Sequence, residues 1–274
     1  MPLINEQARI IENECVGPRL YLMVLQAPRI AESIEPGQFV HVKIPGMADH
    51  ILRRPFSVYA TNPATKTIDI LYQTVGYGTD FMTTLTADEG ALSEVEVLGP
   101  VGRCWMPPEH TQRALLVGGG VGAAPLYMLA EQLVETRVHT DVILGAQTEQ
   151  ALVCRGRYEV LLSAGTTDQV APLCSTDDGS FGRAGFATSL VAEALEAAGQ
   201  AGKQYDYVAV CGPEPLMRAV ADLCADAGVY CEVSMERRMA CGIGACLSCV
   251  VETTEGKLRA CVDGPIFEAT KVVW

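Results

Sequence analysis

Four cysteines near the carboxyl end of the chain have a spacing that suits metal chemistry. Cys241, Cys246, Cys249 and Cys261 form the pattern C-x4-C-x2-C-x11-C. The first three follow the plant-type spacing of ligands to a [2Fe-2S] cluster, which is held by four thiolates. Two glycines and an alanine lie between the first two cysteines, so the backbone there can curl closely around an inorganic core. The pattern therefore predicts an iron–sulfur centre with these cysteines as its ligands.

A structural zinc site is the main alternative for these cysteines. Zinc sites built from four thiolates usually combine two C-x2-C pairs, whereas this segment contains one such pair, Cys246 and Cys249. A disulfide framework is less favoured, because the chain has 11 cysteines, an odd number, and its amino-terminal MPLINEQARI lacks the pattern of a secretion signal. We therefore favour the iron–sulfur centre, keep zinc as the alternative, and expect a cytoplasmic protein.

Two segments in the first third of the chain could bind a flavin dinucleotide. The stretch RRPFSV, residues 53–58, supplies arginines and an aromatic ring, although alone it would also suit an ordinary strand. The stretch VGYGTDFM, residues 75–82, places Gly76, Gly78 and Thr79 at the start of a predicted short helix. Unpaired backbone N–H groups at such a position favour a pyrophosphate. Together the two segments predict FAD binding.

Two glycine-containing segments in the middle of the chain indicate a nicotinamide nucleotide site. The stretch LLVGGGVGAAPL, residues 115–126, reads as a strand, a tight turn and a helix. It is not a strict G-x-G-x-x-G, and no acidic residue follows at the usual distance, so a plain strand-to-helix turn stays open as the alternative. VCGPEPLM, residues 210–217, repeats the geometry and is expected to expose Cys211 above the sheet edge.

The elements that position these residues change character along the chain. Up to about residue 104, short alternating runs separated by turns predict an antiparallel β-barrel or sandwich. Strands then alternate with helices, which predicts a Rossmann-like parallel sheet. The last forty or so residues are rich in Cys and Gly and suggest a small module around a ligand. The predicted domains are a FAD-binding β-barrel (1–108), an NAD-binding α/β domain (109–232) and a [2Fe-2S] module (233–274).

The composition excludes some classes of partner and indicates structural roles for the remaining histidines and cysteines. A net charge of -13 repels nucleic acid and anionic membranes. The four histidines are expected to be surface or satisfied structural residues: His41, His50, His110 and His139. Six further cysteines are expected to pack in the core: Cys15, Cys104, Cys154, Cys174, Cys224 and Cys231. Neither group is expected to take part in the chemistry.

Taken in order, these motifs resemble the ferredoxin–NADP reductase superfamily over nearly the whole chain. The resemblance implies a six-stranded FAD barrel, a nicotinamide-nucleotide domain and, in some branches, an appended plant-type cluster. Within the superfamily, MACGIGAC and C-x-DGP-x-F resemble the iron–sulfur flavoprotein subunits of two-component, NAD-dependent dihydroorotate dehydrogenases, which serve pyrimidine synthesis. The other motifs fit any branch of the superfamily.

The resemblance also implies roles for individual residues. Arg54 matches the arginine that meets a FAD phosphate, and Phe56 replaces the usual tyrosine, which keeps the aromatic plane and loses a hydroxyl. The implied FAD-binding residues are Arg54, Pro55, Phe56, Ser57, Gly76, Gly78 and Thr79. The implied NAD-binding residues are Gly119, Gly120, Gly122, Pro125, Gly212 and Pro213, with Cys211 beneath the nicotinamide as the candidate catalytic residue.

The predicted cofactors indicate a path for electrons, and they imply a separate partner protein that supplies those electrons. A [2Fe-2S] centre passes single electrons and nicotinamide accepts a hydride, so a flavin must connect them. We expect the path to run from the FMN of a dihydroorotate-oxidising partner to the cluster, then to FAD and NAD+. The partner is expected to dock against the cluster module, with Cys246 and its neighbours facing it, in a two-fold assembly of heterodimers.

Two other functions stay open at this point. One is a subunit of another NAD(P)H-linked complex, such as a ferredoxin:NADP oxidoreductase or a hydrogenase. The other is a zinc-stabilised binding protein that has lost redox chemistry. Partner and nucleotide preference tests the first alternative, and the absorption spectrum tests the second.

Overall fold

The computed structural model describes residues 3–47, 51–90, 92–165 and 171–274. The chain forms two compact units. The first unit contains Met1–Cys104, Glu236–Val251 and Leu258–Pro265, and the second contains Trp105–Met235, Glu252–Lys257 and Ile266–Trp274. All four predicted cluster cysteines therefore belong to the same unit as the amino-terminal sheet. The predicted functional boundaries, 1–108, 109–232 and 233–274, stay a prediction.

The first unit is built on an antiparallel sheet that has seven strands within the described ranges. The strands are β1 (Ile4–Gly17), β2 (Leu20–Gln26), β3 (Phe39–Lys43), β4 (Arg54–Ser57), β5 (Ala60–Asn62), β6 (Thr67–Gln73) and β7 (Glu94–Val101). Their order across the sheet is β4-β3-β7-β1-β2-β6-β5. The short helices α1 (Pro28–Ala31) and α2 (Tyr77–Met82) connect strands.

The sheet of the first unit curls on itself. The rings of Phe56 on β4 and Tyr72 on β6 have centroids 6.0 Å apart, although these strands lie near opposite ends of the strand order. Alternating side chains fill the inside of the curled sheet, since β7 buries Val95 and Val97 while Glu96 between them is only half-buried. The predicted antiparallel barrel is confirmed. Its seventh strand, the three-residue β5, exceeds the six strands that the resemblance implied.

The second unit is an α/β fold. Its strands are β8 (Arg113–Gly119), β9 (His139–Ala146), β10 (Leu173–Thr176), β11 (Arg183–Ala184), β12 (Tyr207–Cys211) and β13 (Tyr230–Ser234). Its helices are α3 (Tyr127–Glu135), α4 (Arg155–Ala164), α5 (Ala187–Gln200) and α6 (Glu214–Ala227). In the described part of this unit, 3-10 turns lie at Gly120–Leu126, Glu149–Ala151 and Ala269–Lys271. The last strands of the chain are β14 (Val250–Thr253), β15 (Gly256–Arg259) and β16 (Ile266–Glu268).

The sheet of the second unit has the order β11-β10-β9-β8-β12-β13-β16. Its strands are parallel except that β16 runs antiparallel to β13. The β8 side chains Leu115 and Leu116 are fully buried, as expected for a strand covered on both faces by helices. The predicted Rossmann-like parallel sheet is confirmed. None of the helices in the described ranges is both long and apolar enough to cross a membrane.

The order of strands creates a switch point between β8 and β12. From β8 the chain proceeds outward to β9 and β10, then returns to β12 on the other side of β8. In open α/β sheets, ligands bind outside the carboxyl ends of the strands at such a point. The two glycine-containing segments predicted to bind NAD follow these two strands directly.

The structure corrects two expectations about residues outside the motifs. His41 is fully buried in β3, and neither of its ring nitrogens has a hydrogen-bond partner among the described residues, so it is neither a surface nor a satisfied residue. His110 is exposed and His139 pairs with Asp141, as expected, whereas His50 lies outside the described residues. Cys15 is exposed, so the prediction of core packing was wrong for that cysteine.

A buried carboxyl group lies in the core of the second unit. The Oε2 atom of Glu232 accepts hydrogen bonds from the Tyr207 hydroxyl at 2.7 Å and from the backbone N–H of Met106 at 2.9 Å. Burial raises the pKa of Glu232 above its ordinary value, and the nearby carboxylate of Glu268 adds to the rise. The Tyr207 hydrogen bond opposes the rise without cancelling it.

Replacing Glu232 with Gln is expected to change how stability depends on pH. A carboxyl group whose pKa is raised by folding contributes most to stability below its unfolded pKa of 4.5 and loses that contribution as the pH rises through its folded value. Gln keeps an acceptor oxygen and cannot ionise. The free energy of unfolding of E232Q, relative to the unmodified protein, should therefore increase between about pH 4 and about pH 7.5 in urea titrations. An unchanged difference would contradict the prediction.

Candidate functional site

The four cysteines are gathered by an irregular loop followed by a turn. The segment between β13 and β14 contains no helix or strand, and it carries Cys241, Cys246 and Cys249. The sulfur of Cys241 accepts hydrogen bonds from the backbone N–H groups of Ile243 at 3.5 Å and Cys246 at 3.4 Å. Amide groups pointing at sulfur stabilise thiolates and tune iron–sulfur clusters. The backbone of the loop is thus already arranged to donate hydrogen bonds to the sulfur of one of its own cysteines.

Two glycines allow this loop to turn tightly. Gly242 and Gly244 have φ values of +69° and +79°, in the left-handed region that side chains rarely adopt. A Cβ atom on Gly244 would also lie 2.7 Å from Cγ2 of Val262. Glycine is therefore required at Gly244 for backbone conformation and for space.

The fourth cysteine is brought to the loop by an ion pair. The Nε atom of Arg259 lies 2.9 Å from Oδ2 of Asp263, and the backbone N–H of Arg259 donates to the same oxygen at 2.9 Å. Nη1 of Arg259 also donates to the carbonyl of Gly244 at 3.4 Å. The pair closes the turn around Cys261 and ties it to the cysteine loop. The sequence motifs did not reveal this role, although the spacing R-A-C-V-D around the cysteine could have indicated it.

The thiols differ in their tendency to ionise. Hydrogen bonding with the backbone of Cys241 and Ser248 lowers the pKa of the exposed Cys246 to about 6. Burial raises the pKa of Cys261 to about 12. The exposed Cys246 therefore ionises more readily than Cys261.

The donor set fits an iron–sulfur core. Within the described ranges, no three His, Cys, Asp or Glu side chains converge on one point in the way a single bound metal ion requires. A two-iron core does not need such convergence, because it spreads its four thiolates over two metals. Four cysteines on this loop and the turn that follows it, with two backbone amides donating to the sulfur of Cys241, are thus compatible with the predicted cluster.

The structure brings the two predicted flavin segments together. A Cβ atom on Gly78 would lie 2.8 Å from Nε and 3.0 Å from Nη2 of Arg54, so the guanidinium packs directly on the glycine. Nη1 of Arg54 donates to the carbonyl of Leu52. An arginine held over a glycine turn forms a cradle suited to a phosphate group.

Thr79 organises this turn from within. Its hydroxyl oxygen accepts from the backbone N–H groups of Val75 at 2.8 Å and Gly76 at 3.2 Å, and the hydroxyl donates to the carbonyl of Gly76 at 3.0 Å. The far end of α2 is held by Asn13, whose Nδ2 donates to the carbonyls of Met82 and Leu85. The hydroxyl of Thr79 thus shapes the loop, and Asn13 is a supporting residue that no sequence motif indicated.

The strand that carries the RPFS motif is accessible. All four residues of β4 are half-buried. Pro55 lies opposite His41 and Ser57 opposite Phe39 in the adjacent strand β3. Phe56 therefore presents a partly open aromatic face beside the Arg54 cradle.

The two predicted NAD segments meet at the switch point of the second sheet. A Cβ atom on Gly122 would lie 2.5 Å from the carbonyl oxygen of Cys211 and 2.7 Å from Cα of Gly212. One on Gly119 would lie 3.0 Å from Cδ of Pro213. The backbones of the two loops therefore touch, and only glycine permits that approach at Gly122.

Two buried side chains anchor the first of these loops. Nε1 of Trp105 donates to the carbonyl of Pro125 at 3.1 Å, and the Tyr158 hydroxyl donates to the carbonyl of Ala123 at 2.8 Å. Gly120 lies in the same 3-10 turn. The turn is thus held rigidly at the sheet edge.

The expectation that Cys211 is exposed at this edge was wrong. Its side chain is 2% exposed. The last residue of β12 points into the packed interior because the glycine loop covers the strand end. Its predicted catalytic role stays a prediction.

Two family models match the chain. The iron–sulfur cluster binding domain of dihydroorotate dehydrogenase B matches residues 236–273. The oxidoreductase NAD-binding domain matches residues 116–222. The first includes all four cysteines, and the second includes both loops at the switch point.

Curated relatives match over nearly their whole length. A protein of Desulforamulus reducens, named dihydroorotate dehydrogenase B (NAD(+)), electron transfer subunit, is 33% identical over 97% of this chain and 97% of its own length. A protein of Bacillus caldolyticus with the same name is 38% identical over 98% of both chains. The predicted resemblance is confirmed, and the alternative of another NAD(P)H-linked complex is not favoured.

A solved structure supports the same fold. The NADH-dependent reduced ferredoxin-NADP oxidoreductase, studied for flavin-based electron bifurcation, superposes with a TM-score of 0.82 at 26% identity, covering 97% of this chain and 90% of the other. The predicted cofactors, FAD, a [2Fe-2S] cluster and NAD, are confirmed by these matches. The chain belongs to the family of electron transfer subunits of NAD(+)-dependent dihydroorotate dehydrogenase B.

Proposed function

We propose that this chain carries electrons from a catalytic partner that oxidises dihydroorotate, through its [2Fe-2S] cluster and FAD, to NAD+, and so serves pyrimidine synthesis. The observation that carries the proposal is the cysteine quartet, with its amide-to-sulfur hydrogen bonds, in the same compact unit as the Arg54–Gly78 cradle. FAD, when bound, supplies the change from single electrons to a hydride. The chain's own residues hold and tune the cofactors.

Each predicted residue has its own role in holding one of the three cofactors. Arg54 neutralises a FAD phosphate, Thr79 keeps the turn in shape, and Phe56 offers an aromatic face. Pro55, Ser57, Gly76 and Gly78 complete the flavin surface. Gly119, Gly120, Gly122, Pro125, Gly212 and Pro213 leave room for NAD at the switch point, and Cys211 lies beneath that space as the candidate catalytic residue. Cys241, Cys246, Cys249 and Cys261 ligate the cluster.

The partner we propose contains FMN and forms a heterotetramer with this chain, as two heterodimers in the cytoplasm. The relatives are named as electron transfer subunits, which supports a separate catalytic subunit. A flavin in the partner would release single electrons to the cluster, the form that a [2Fe-2S] centre accepts.

Anaerobic co-expression with a dihydroorotate-oxidising flavoprotein tests this function. We expect a complex that contains iron, acid-labile sulfide, FMN and FAD, shows flavin and iron–sulfur absorption, and reduces NAD+ with dihydroorotate. A colourless chain that contains zinc would refute the proposal in favour of the structural alternative. A coloured chain that accepts electrons only from ferredoxin would favour the other NAD(P)H-linked complexes.

The cysteine loop exposes two large apolar side chains. Ile243 is 55% exposed and Leu247 is 63% exposed, and both flank the exposed Cys246. Leu247 also has a φ of +57°, which is rare for a bulky residue and is tolerated where structure or function demands it. Exposed apolar side chains beside a redox centre support docking of the partner at this place.

Replacing Leu247 with Asp is expected to weaken binding of the partner by at least about tenfold, because a charge is desolvated in an apolar contact. Asp tolerates the left-handed conformation better than Leu, so the loop should keep its fold. Binding measured by calorimetry should weaken while the absorption spectrum is unchanged. The matched control is V160D, on exposed α4 of the second unit. Equal affinities for L247D and V160D would place the interface elsewhere.

A further inference from the structure

His41 is a buried polar side chain whose hydrogen-bonding groups have no partner among the described residues. It is 0% exposed, and neither Nδ1 nor Nε2 has a hydrogen-bond partner among the described residues. Leaving such a group unpaired destabilises the folded chain. Buried polar groups in native proteins are nearly always paired, so an unpaired one calls for a partner that is absent from the protein chain itself.

The ring faces the cysteine loop. A Cβ atom on Gly242 would lie 2.9 Å from Cε1, 2.9 Å from Nε2 and 3.1 Å from Cδ2 of His41. The corner of the ring that carries Nε2 is therefore pressed against the residue that follows Cys241. Gly242 also has a positive φ, so this is the point where the loop bends.

The backbone of the same residue adjoins the flavin segment. His41 lies opposite Pro55, in the middle of the pairing between β3 and β4. All these residues belong to the first compact unit. A single residue thus connects the strand predicted to carry the flavin with the loop predicted to carry the cluster.

The groups around the ring leave Nε2 without an acceptor. Phe39 offers an apolar ring at a centroid distance of 5.6 Å. Arg53 has only donors, and these are directed to Glu96 and Asn5. Burial, with the Arg53 charge adding to it, lowers the pKa of His41 to about 4. The ring is therefore neutral at pH 7, with one N–H to donate.

We propose that the Nε2–H group of His41 donates a hydrogen bond to a sulfur atom of the bound iron–sulfur cluster, and thereby stabilises the reduced cluster. The inference rests on the proposed function, because it requires the cluster. Reduction adds negative charge to the sulfurs, so a donor aimed at sulfur favours the reduced form. The same contact would hold the cluster loop against the strand of the flavin segment.

Two substitutions separate the hydrogen bond from packing. His41→Phe keeps a planar ring and removes the N–H, whereas His41→Gln keeps an amide N–H close to the Nε2 position. The measurement is a redox titration of the purified full chain, with the reduced cluster followed by electron paramagnetic resonance. We expect H41F to shift the one-electron equilibrium about tenfold toward the oxidised cluster, equivalent to about 59 mV. H41Q should recover most of that shift.

The outcomes that overturn the inference are distinct. Equal equilibria in H41F and the unmodified protein would exclude the hydrogen bond, and equal shifts in H41F and H41Q would show that only packing matters. If neither variant retains iron, ¹⁵N-histidine labelling of the unmodified protein decides: a histidine nitrogen coupled to the reduced cluster supports the inference, and no coupling overturns it. An unmodified chain without iron would instead refute the proposed function.

Discussion

Replacing Cys249 with Ser is expected to eliminate electron transfer from the partner to NAD+. Cys249 is 2% exposed, and its carbonyl accepts the backbone N–H of Ala260, so it lies where the loop meets the turn around Cys261. A serine hydroxyl does not ionise near neutral pH and is a poor ligand for iron. We expect the iron content to fall and dihydroorotate-dependent NAD+ reduction to drop by at least about 100-fold.

The oxidation of NADH by ferricyanide provides the internal comparison, because this artificial acceptor takes electrons from the flavin. It should stay within about twofold of the unmodified protein, since the Arg54 cradle and the switch-point loops are untouched. The matched control is C15S, which removes an exposed thiol of the same unit. A C249S protein with full iron content and full activity would show that this cysteine is not a ligand.

Replacing Gly122 with Ala is expected to impair NAD binding more than any other single-methyl change at the switch point. The added Cβ would lie 2.5 Å from the carbonyl oxygen and 2.6 Å from the carbonyl carbon of Cys211. Both atoms belong to a strand held in the middle of the sheet, so the glycine loop must move instead. We expect the dissociation constant for NADH to rise at least about tenfold and the free energy of unfolding to fall by about 1–3 kcal/mol.

Fluorescence titration with NADH and urea unfolding measure the two effects. The matched control is G156A, where the new methyl group meets nothing within 4 Å. Alanine at this position should raise the free energy of unfolding by about 0.4–1 kcal/mol, because it restricts the unfolded chain. The flavin spectrum should be unchanged in both variants. An unaltered affinity in G122A would show that NAD does not depend on the contact between these loops.

The local parts of the fold and of the candidate site could be predicted from the sequence. Strand alternation indicated the antiparallel sheet, and the strand–turn–helix rhythm indicated the parallel one, because both periods reflect which face of an element is buried. The cysteine loop could also be predicted, because the spacing of its cysteines and glycines is a local feature of the sequence. A ligand loop of nine residues, Cys241 to Cys249, is a local structure whose backbone requirements appear in the residues themselves.

Contacts between distant residues required the tertiary structure. His41 and Gly242 come together from opposite ends of the chain, and no local pattern marks that meeting. The exposure of Cys15 and the burial of Cys211 likewise depend on which neighbours cover them. A histidine in an alternating strand looks like any polar residue until the segment packed above it is known.

The sequence by itself determined the order of elements, the class of each sheet and the candidate ligands, since these follow from residue type and short-range spacing. Only the tertiary structure decided that the cysteine loop joins the amino-terminal sheet, that Arg54 rests on Gly78 and that the two glycine loops touch. The physical reason is that burial and van der Waals contact are properties of pairs of surfaces. Their energies depend on distances that the order of residues along a chain does not specify.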